Sequence, residues 1–515
     1  MYGRICVMLV VATICGLTTA STLPAQELTP SELVRVDDWY RRTVGRTGDG
    51  QWGIVIGTMD SRVLWSMNPD LPLIPASTAK LFTTGFTRAR AGGGARISTR
   101  VIGRGQLDTV TGRWQGSWQL ELGGDPTLER PGRAGPTLRE LARQLRDRGV
   151  RILAGPLALT SRTGPATSRY PTVWSTDFEG QLYAPPVGPV TLHENTISLT
   201  FRPGSDIGFP PTLVSAYPAG VDRMVRINAT TVGGSRRRLR LLAEPDGGWT
   251  LLGSIGIGTR TAGLSAVAHN PASVLVYAWG AALERAGIRW ENRTSWMSRT
   301  PSPMGLALPT VLAKVESPPF DSVAVEINRR SLNIGAELVL QWAAASQTAG
   351  PALLTQHVRD VVGPKAQVQL VDASGLSELD RVSPLTQMLY LARYPQLRGA
   401  ERFPLLLPAN GIGTLRNLRG GMARGVVHAK TGTLDRVATL AGYLGRTDGV
   451  LVISLMYNGR RIGSARAAEW ELFRLLGAEG VNLSGALESH MGGLTNQEDE
   501  AADSAPDSQP ATPAE

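Results

Sequence analysis

The chain has 515 residues, of which 42% are hydrophobic and 19% charged, a composition that excludes a disordered or collagen-like protein and accommodates roughly two to four domains. Its formal net charge is +10, but most of the basic residues are scattered arginines, so nucleic acid is not an expected partner. An anionic mesh outside the membrane, such as a cell wall, suits the charge better.

The first 25 residues carry one basic residue, an apolar run from Ile5 to about Leu17 and small residues ending at Ala20 or Ala25. This is the pattern of a secretory signal peptide, and the run is too short for a spanning helix. Both cysteines, Cys6 and Cys15, lie within it, so the exported protein is expected to have no disulfide, thiol nucleophile or cysteine metal site. The residues before Cys15, Ala12-Thr13-Ile14, make a poor lipidation site. No transmembrane anchor is expected, which leaves room for a loose association with membrane or wall.

Residues 28–44 have helical periodicity, and Trp52 to Met67 alternates like two strands around Asp60-Ser61. A proline-rich loop then leads into Pro75-Ala76-Ser77-Thr78-Ala79-Lys80, where a helix opens. Strands are expected from Ile97 to Leu122 and an amphipathic helix from Thr137 to Gly149. From Ser161 to Gly263 the chain is rich in Pro, Gly and Val, as a separate β module would be. A helix follows at Ala272–Gly287, a strand at Leu312–Glu316, and a long helix from Ser322 to Ala345 that breaks near Asn333-Ile334-Gly335. Residues 367–384 read as loop, residues 426–430, 438–445 and 450–457 as strands, and 464–476 as the last helix. An acidic, apolar-poor tail from residue 485 to 515 is expected to be disordered. One basic cluster, Arg236-Arg237-Arg238-Leu239-Arg240, reads as a solvated strand or loop face.

Lysine occurs only at Lys80, Lys314, Lys365 and Lys430. In a helix opening at Ser77, Lys80 shares a face with the serine, and a lysine of lowered pKa can take a hydroxyl proton, whereas arginine cannot. Taken alone, a helix-capping serine beside a surface lysine explains that spacing equally well. In Val426-Val427-His428-Ala429-Lys430-Thr431-Gly432-Thr433-Leu434, Lys430 and the hydroxyls of Thr431 and Thr433 suit a carboxylate, and Gly432 is expected to let a substrate backbone approach closely. The Lys430 charge is also expected to lower Lys80. Ser331 and Asn333, flanking Leu332, form a third and weaker signal. The five histidines, His193, His269, His357, His428 and His490, show no metal-ligand spacing, so no metal and no cofactor are expected. His428 shares strand parity with Lys430 but reads as a packing residue, and Asp125 and Asp372 read as turn formers.

Ser-x-x-Lys, Ser-x-Asn and Lys-Thr-Gly in this order resemble the motif set of active-site serine penicillin-binding proteins and β-lactamases. More specifically, the chain is similar to D-alanyl-D-alanine carboxypeptidases/endopeptidases of the penicillin-binding protein 4 type, the S13 peptidase family. The likeness extends to Leu122-Gly123-Gly124-Asp125-Pro126-Thr127-Leu128, Tyr183-Ala184-Pro185-Pro186-Val187 with Glu194-Asn195-Thr196, Asp372-Ala373-Ser374-Gly375-Leu376-Ser377 with Arg381-Val382-Ser383-Pro384, and Gly413-Thr414-Leu415. It covers residues 28–480. Ala373 stands where the family usually has Gly, and Leu332 where it commonly has an acidic or other polar residue.

The resemblance implies an α/β, multi-domain protein: a serine β-lactamase/DD-peptidase-like transpeptidase domain from residues 26–95 and 296–484, with a large, mostly β insertion. That insertion, residues 96–295, would be a second domain with a third nested at about 165–265, since about 250 residues separate Ser77 from Ser331, more than one helical subdomain needs. It further implies catalysis by Ser77, Lys80, Ser331, Asn333 and Lys430, with Thr431, Gly432 and Thr433 binding substrate. The expected partners are peptidoglycan peptides ending in D-Ala-D-Ala, with β-lactams as covalent inhibitors, on the exported, periplasmic or cell-wall side. A serine β-lactamase and a non-catalytic β-lactam sensor or wall-binding protein are the alternatives; the first needs a water activator that is not identifiable, and the second should have lost a catalytic group, none of which is missing.

Overall fold

A computed structural model of the chain describes residues 27–130, 133, 135–291, 296–298, 308–418 and 421–491. The expected signal peptide and the tail beyond residue 491 lie outside the described residues.

Helix α1 (Pro30–Thr47) starts at a capping box in which Thr29 and Glu32 satisfy each other's end of the helix, with Pro30 in the first turn. Strands β1 (Gln51–Thr58) and β2 (Val63–Met67) follow, then a 3₁₀ turn at Ala76–Thr78 that runs directly into α2 (Ala79–Ala91).

The chain then leaves this unit. β3 (Ser98–Asp108) and β4 (Arg113–Leu122) form a hairpin; β4 turns Trp118, Leu120 and Leu122 inward at alternate positions, the period of a half-buried strand. After α3 (Leu138–Asp147) come β5 (Ile152–Leu153) and β6 (Leu157–Ser161). β7 (Thr196–Arg202) and β8 (Thr212–Tyr217) lead to β9 (Val225–Val232), β10 (Arg237–Ala243), β11 (Trp249–Gly256) and β12 (Ala262–Val267). These six build two three-stranded sheets, β12-β7-β8 and β10-β11-β9. α4 (Pro271–Arg285), β13 (Arg289–Trp290), β14 (Trp296–Ser298) and β15 (Thr310–Glu316) return the chain. β14 pairs with β6 and β15 with β3, both in a seven-stranded sheet. The inserted unit therefore reaches Glu316 rather than ending at residue 295, because the ladder with β3 extends along β15.

α5 (Phe320–Arg330) and α6 (Asn333–Ala344) are the two parts of the long helix that was expected to break near Asn333. The break falls at Ser331, just before the expected site: its left-handed backbone (φ 57°) ends α5, and its N–H caps Ile327 O. α7 (Gly350–Val362), β16 (Val368–Gln369), β17 (Arg381–Val382) and α8 (Pro384–Arg393) precede β18 (Val427–Leu434), β19 (Val437–Arg446), β20 (Gly449–Asn458), α9 (Ile462–Leu476) and α10 (Leu483–Met491). Neither α7 nor α8 was expected from the sequence. Nor was α10: residues 485–491, expected to belong to a disordered tail, are helical, with Leu483, Ala486 and Leu487 buried in the core.

β18 to β20 and β1-β2 close one antiparallel sheet, order β18-β19-β20-β1-β2, although well over 300 residues separate its two parts. Almost every residue of β19 and β20 is buried, as in a strand covered on both faces. One layer holds Trp39 of α1 and Leu472 and Phe473 of α9; the other holds Phe82 of α2, Val339 of α6 and Tyr390 of α8. Trp39 also donates its indole N–H to Ala468 O, pinning α1 to α9 across 429 residues of chain. Burying such a side chain contributes about 3 kcal/mol. The edge strand β18 is left beside the 3₁₀ turn that carries Ser77.

Candidate active site

The turn before Ser77 is strained and held from three sides. Ala76 has a positive φ of 47°, unusual for a residue with a side chain. Pro75 O accepts from the hydroxyls of Thr78 and Thr439, each at 2.7 Å. A buried chain, Ser454 Oγ to Gln387 Oε1 and Gln387 Nε2 to Thr78 Oγ1, both 2.9 Å, ties the turn to β20 and α8. Two glycines let backbone approach it: a methyl on Gly375 would stand 1.8 Å from Ala76 O, and one on Gly432 would stand 2.9 Å from Ser77 N. The backbone that Gly432 admits in this structure is that of the serine turn, where a substrate backbone was expected.

Lys80, with no exposed surface, points back one helical turn so that Nζ lies 2.9 Å from Ser77 Oγ. Its other two partners are Asn333 Oδ1 at 2.6 Å and Ser374 O at 2.7 Å. A neutral amine has two N–H groups and one lone pair. The two fixed acceptors match the N–H groups, so the lone pair is left for the serine hydroxyl. Burial lowers the Lys80 pKa to about 7, while Asp372, Glu337 and Asp380 pull it back up. The expectation that Lys430 does the lowering is corrected: desolvation does it. The like charge counts in the other direction, since Lys430 is held well below its ordinary value by burial, then by Lys80 and Arg466.

Lys430 is also fully buried; Nζ donates to Ser331 Oγ at 2.9 Å and to Thr431 O at 2.7 Å. Ser331 owes its position to the left-handed break between α5 and α6. The preceding residue, Arg330, grips Glu194 of the inserted unit, which also meets Arg130, tying the break to the insertion. Asn333 opens α6 and spends its amide on both sides, Oδ1 on Lys80 and Nδ2 on Tyr183 O at 2.9 Å. The three motifs thus meet through Ser77–Lys80–Asn333 and Ser331–Lys430. The side chains of Thr431 and Thr433 lie on the opposite face of β18 from Lys430, as strand parity requires. His428 donates Nδ1–H to Leu407 O at 3.0 Å.

Two features were not read from the sequence. One is an acid cluster beneath Lys80. Asp372 does form a turn, accepting from the N–H groups of Ser374, Gly375 and Ser377, but it also accepts from Trp174 of the inserted unit at 2.9 Å. Burial and Asp372 push Glu337 up to about 8, and burial, then Asp372, hold Asp380 well above the usual carboxylate range. The cluster therefore carries less negative charge than three carboxylates would. The other is Arg466 on α9, which donates to Thr433 Oγ1 at 2.8 Å, to Thr439 O at 2.9 Å and to Gly432 O. It pairs with the buried Glu469, whose pKa burial raises to about 7.

A five-stranded antiparallel sheet between helical layers, with serine, lysine and asparagine meeting at its edge strand, defines the serine β-lactamase/DD-peptidase-like class. Within it, residues 42–472 match the D-Ala-D-Ala carboxypeptidase 3 (S13) family, and the chain belongs to that family. It is a serine-type carboxypeptidase, a hydrolase. A D-alanyl-D-alanine carboxypeptidase from an Actinomadura species is 25% identical over 429 residues, 79% of this chain and 77% of the relative. A Mycobacterium tuberculosis carboxypeptidase is 27% identical over 457 residues, 85% of this chain and 81% of the relative. The fold matches the crystal structure of penicillin binding protein 4 from Haemophilus influenzae with a TM-score of 0.67 at 19% identity, over 84% of this chain and 99% of that one.

Proposed function

We propose that the protein is an exported D-Ala-D-Ala carboxypeptidase/endopeptidase of peptidoglycan that works through an acyl-enzyme on Ser77. The observation that carries this reading is the fully buried Lys80, its pKa near 7 and its Nζ 2.9 Å from Ser77 Oγ. Lys80 takes the hydroxyl proton as Ser77 Oγ attacks the carbonyl between the two D-alanines, and the backbone N–H groups of Ser77 and Thr433 stabilise the oxyanion. The C–N bond breaks, and Ser331, hydrogen-bonded to Lys430, relays a proton to the departing amine. Asn333 positions the peptide. Water then hydrolyses the ester and restores Ser77.

The terminal carboxylate falls to Thr431 and Thr433, supported by Arg466. Lys430 acts on it through Ser331, because its own amine is fully buried and already bonded. β-Lactams would acylate the same serine. One structural relative, the Haemophilus influenzae protein, has been crystallised with a β-lactam (TM-score 0.63). Export rests on the N-terminal pattern alone. Purified protein should release D-alanine from an N-acylated tripeptide ending in D-Ala-D-Ala, and Ser77→Ala should release none. Folded wild-type protein that neither releases D-alanine from this peptide nor splits cross-linked muropeptides into monomers would sink the reading.

A further inference from the structure

The arginine cluster that the chemistry leaves unused lies at one end of the inserted unit, where three connections converge. β9 and β11 run parallel, so both end there, and β10 begins there. The β7–β8 loop is stitched to the end of β9 by Gly208 N–H to Thr231 O and Thr231 N–H to Phe209 O. The turn after β11 is stitched to the turn after β9 by Ile257 N–H to Val232 O and Gly258 N–H to Gly234 O. Three bulky apolar side chains stand in solvent at this end: Ile207 is 58% exposed, Phe209 55% and Ile257 41%. Around them Arg237, Arg238 and Arg260 are exposed, and none forms an ion pair among the described residues. One acidic residue, Asp206, sits in the loop, where its carboxylate accepts the Ile207 N–H.

Scattered exposed apolar residues need no explanation, but three on two adjoining turns at one end, within a basic rim, do. A soluble polyanion would engage the arginines and leave the apolar side chains in water. A second copy of the chain would bring like charges face to face. A bilayer with anionic headgroups satisfies both sets of side chains, phosphates meeting the guanidiniums and the acyl boundary taking the apolar ones. We propose that this end of the inserted unit is a peripheral docking tip for an anionic phospholipid membrane, with Ile207, Phe209 and Ile257 as its wedge and the arginines as its rim. None of the groups around Ser77 belongs to the tip, so docking leaves the peptidase chemistry free.

The test is co-sedimentation of purified protein, with the same N-terminus in every variant, on vesicles with and without phosphatidylglycerol. Wild type should bind the anionic vesicles, more weakly at high salt and about tenfold more weakly to pure phosphatidylcholine. Ile207→Ser/Phe209→Ser and, separately, Arg237→Gln/Arg238→Gln should each lower partition on the order of tenfold, with D-alanine release unchanged. All four positions are exposed, so the variants should fold, and peptide turnover verifies it. Anionic-vesicle binding that survives loss of the apolar pair overturns the proposal. So does binding to insoluble wall material that only the arginine pair abolishes, or concentration-dependent self-association in place of vesicle binding.

Discussion

Gly432→Ala perturbs the close approach of β18 to the serine turn. The added methyl would lie 2.2 Å from Thr439 Oγ1, 2.8 Å from Pro75 O and 2.9 Å from Ser77 N, where ordinary contact begins at 3.4 Å. Thr439 can rotate, but that breaks its 2.7 Å bond to Pro75 O, worth about 1 kcal/mol. The other two contacts are backbone, so β18 and the serine turn must part by about 0.5 Å. Overpacking of this kind costs about 1–3 kcal/mol, small enough for the protein to remain folded. The chemical cost should be larger, because the same displacement moves the Ser77 N–H relative to the Thr433 N–H; a misplacement of about 1 Å costs roughly a hundredfold in rate. The second-order rate of acylation by a fluorescent penicillin should therefore fall about ten- to a hundredfold, with a modest drop in melting temperature. Gly263→Ala, whose methyl meets nothing within 4 Å, should leave both unchanged. A Gly432→Ala enzyme acylated within about threefold of the wild-type rate would refute the claim that this contact sets the site's geometry.

The remaining predictions follow from the charges. Acylation requires the unprotonated Lys80 amine, so its rate should climb about tenfold per pH unit below 7 and level off above it. In Lys430→Ala the residual rate should keep that midpoint, because burial sets it; a midpoint displaced upward by a unit or more would restore the like-charge explanation. Arg466→Gln should raise KM for peptides with a free terminal carboxylate about tenfold or more while leaving those with an amidated terminus unaffected; equal effects on both would remove Arg466 from carboxylate recognition. Burial holds His193 and His357 at about 4, so the unfolded chain binds more protons than the folded one between pH 6.5 and 4. Stability should then fall as pH drops through that window, by at most roughly 3 kcal/mol per histidine. His357→Gln should flatten the acid limb of urea-unfolding measurements, and an unchanged limb would show that the ring is protonated in the folded state.

The groups proposed for bond-making were legible because they are chemically unusual for this chain. Lys80 and Lys430 stand out where arginine supplies nearly every other positive charge, and Ser331 and Asn333 gained meaning from their order. What set those groups in place was far less visible. The acids that oppose the lowering of Lys80, Asp372, Glu337 and Asp380, lie far along the chain from it, which no local spacing reports. Arg466 was hidden by being one arginine among many. Helix α8 could have been found from Ser383 as N-cap followed by Pro384 in the first turn, the usual opening of a helix. α10 could not: it is short, directly precedes the acidic stretch in sequence, and is held by the burial of Leu483 and Leu487 rather than by its own propensity. The insertion boundary was misjudged for a related reason, since β15 belongs to its sheet by pairing with β3, a long-range choice.

The most direct measurement of the central claim is intact-mass and peptide-map analysis of the protein after brief exposure to benzylpenicillin. One penicilloyl group should be found on Ser77, persisting for minutes or longer, and it should be absent from Ser77→Ala and nearly absent from Lys80→Arg. An adduct on another residue, or undiminished labelling of Ser77→Ala, would contradict the assignment of Ser77 as nucleophile.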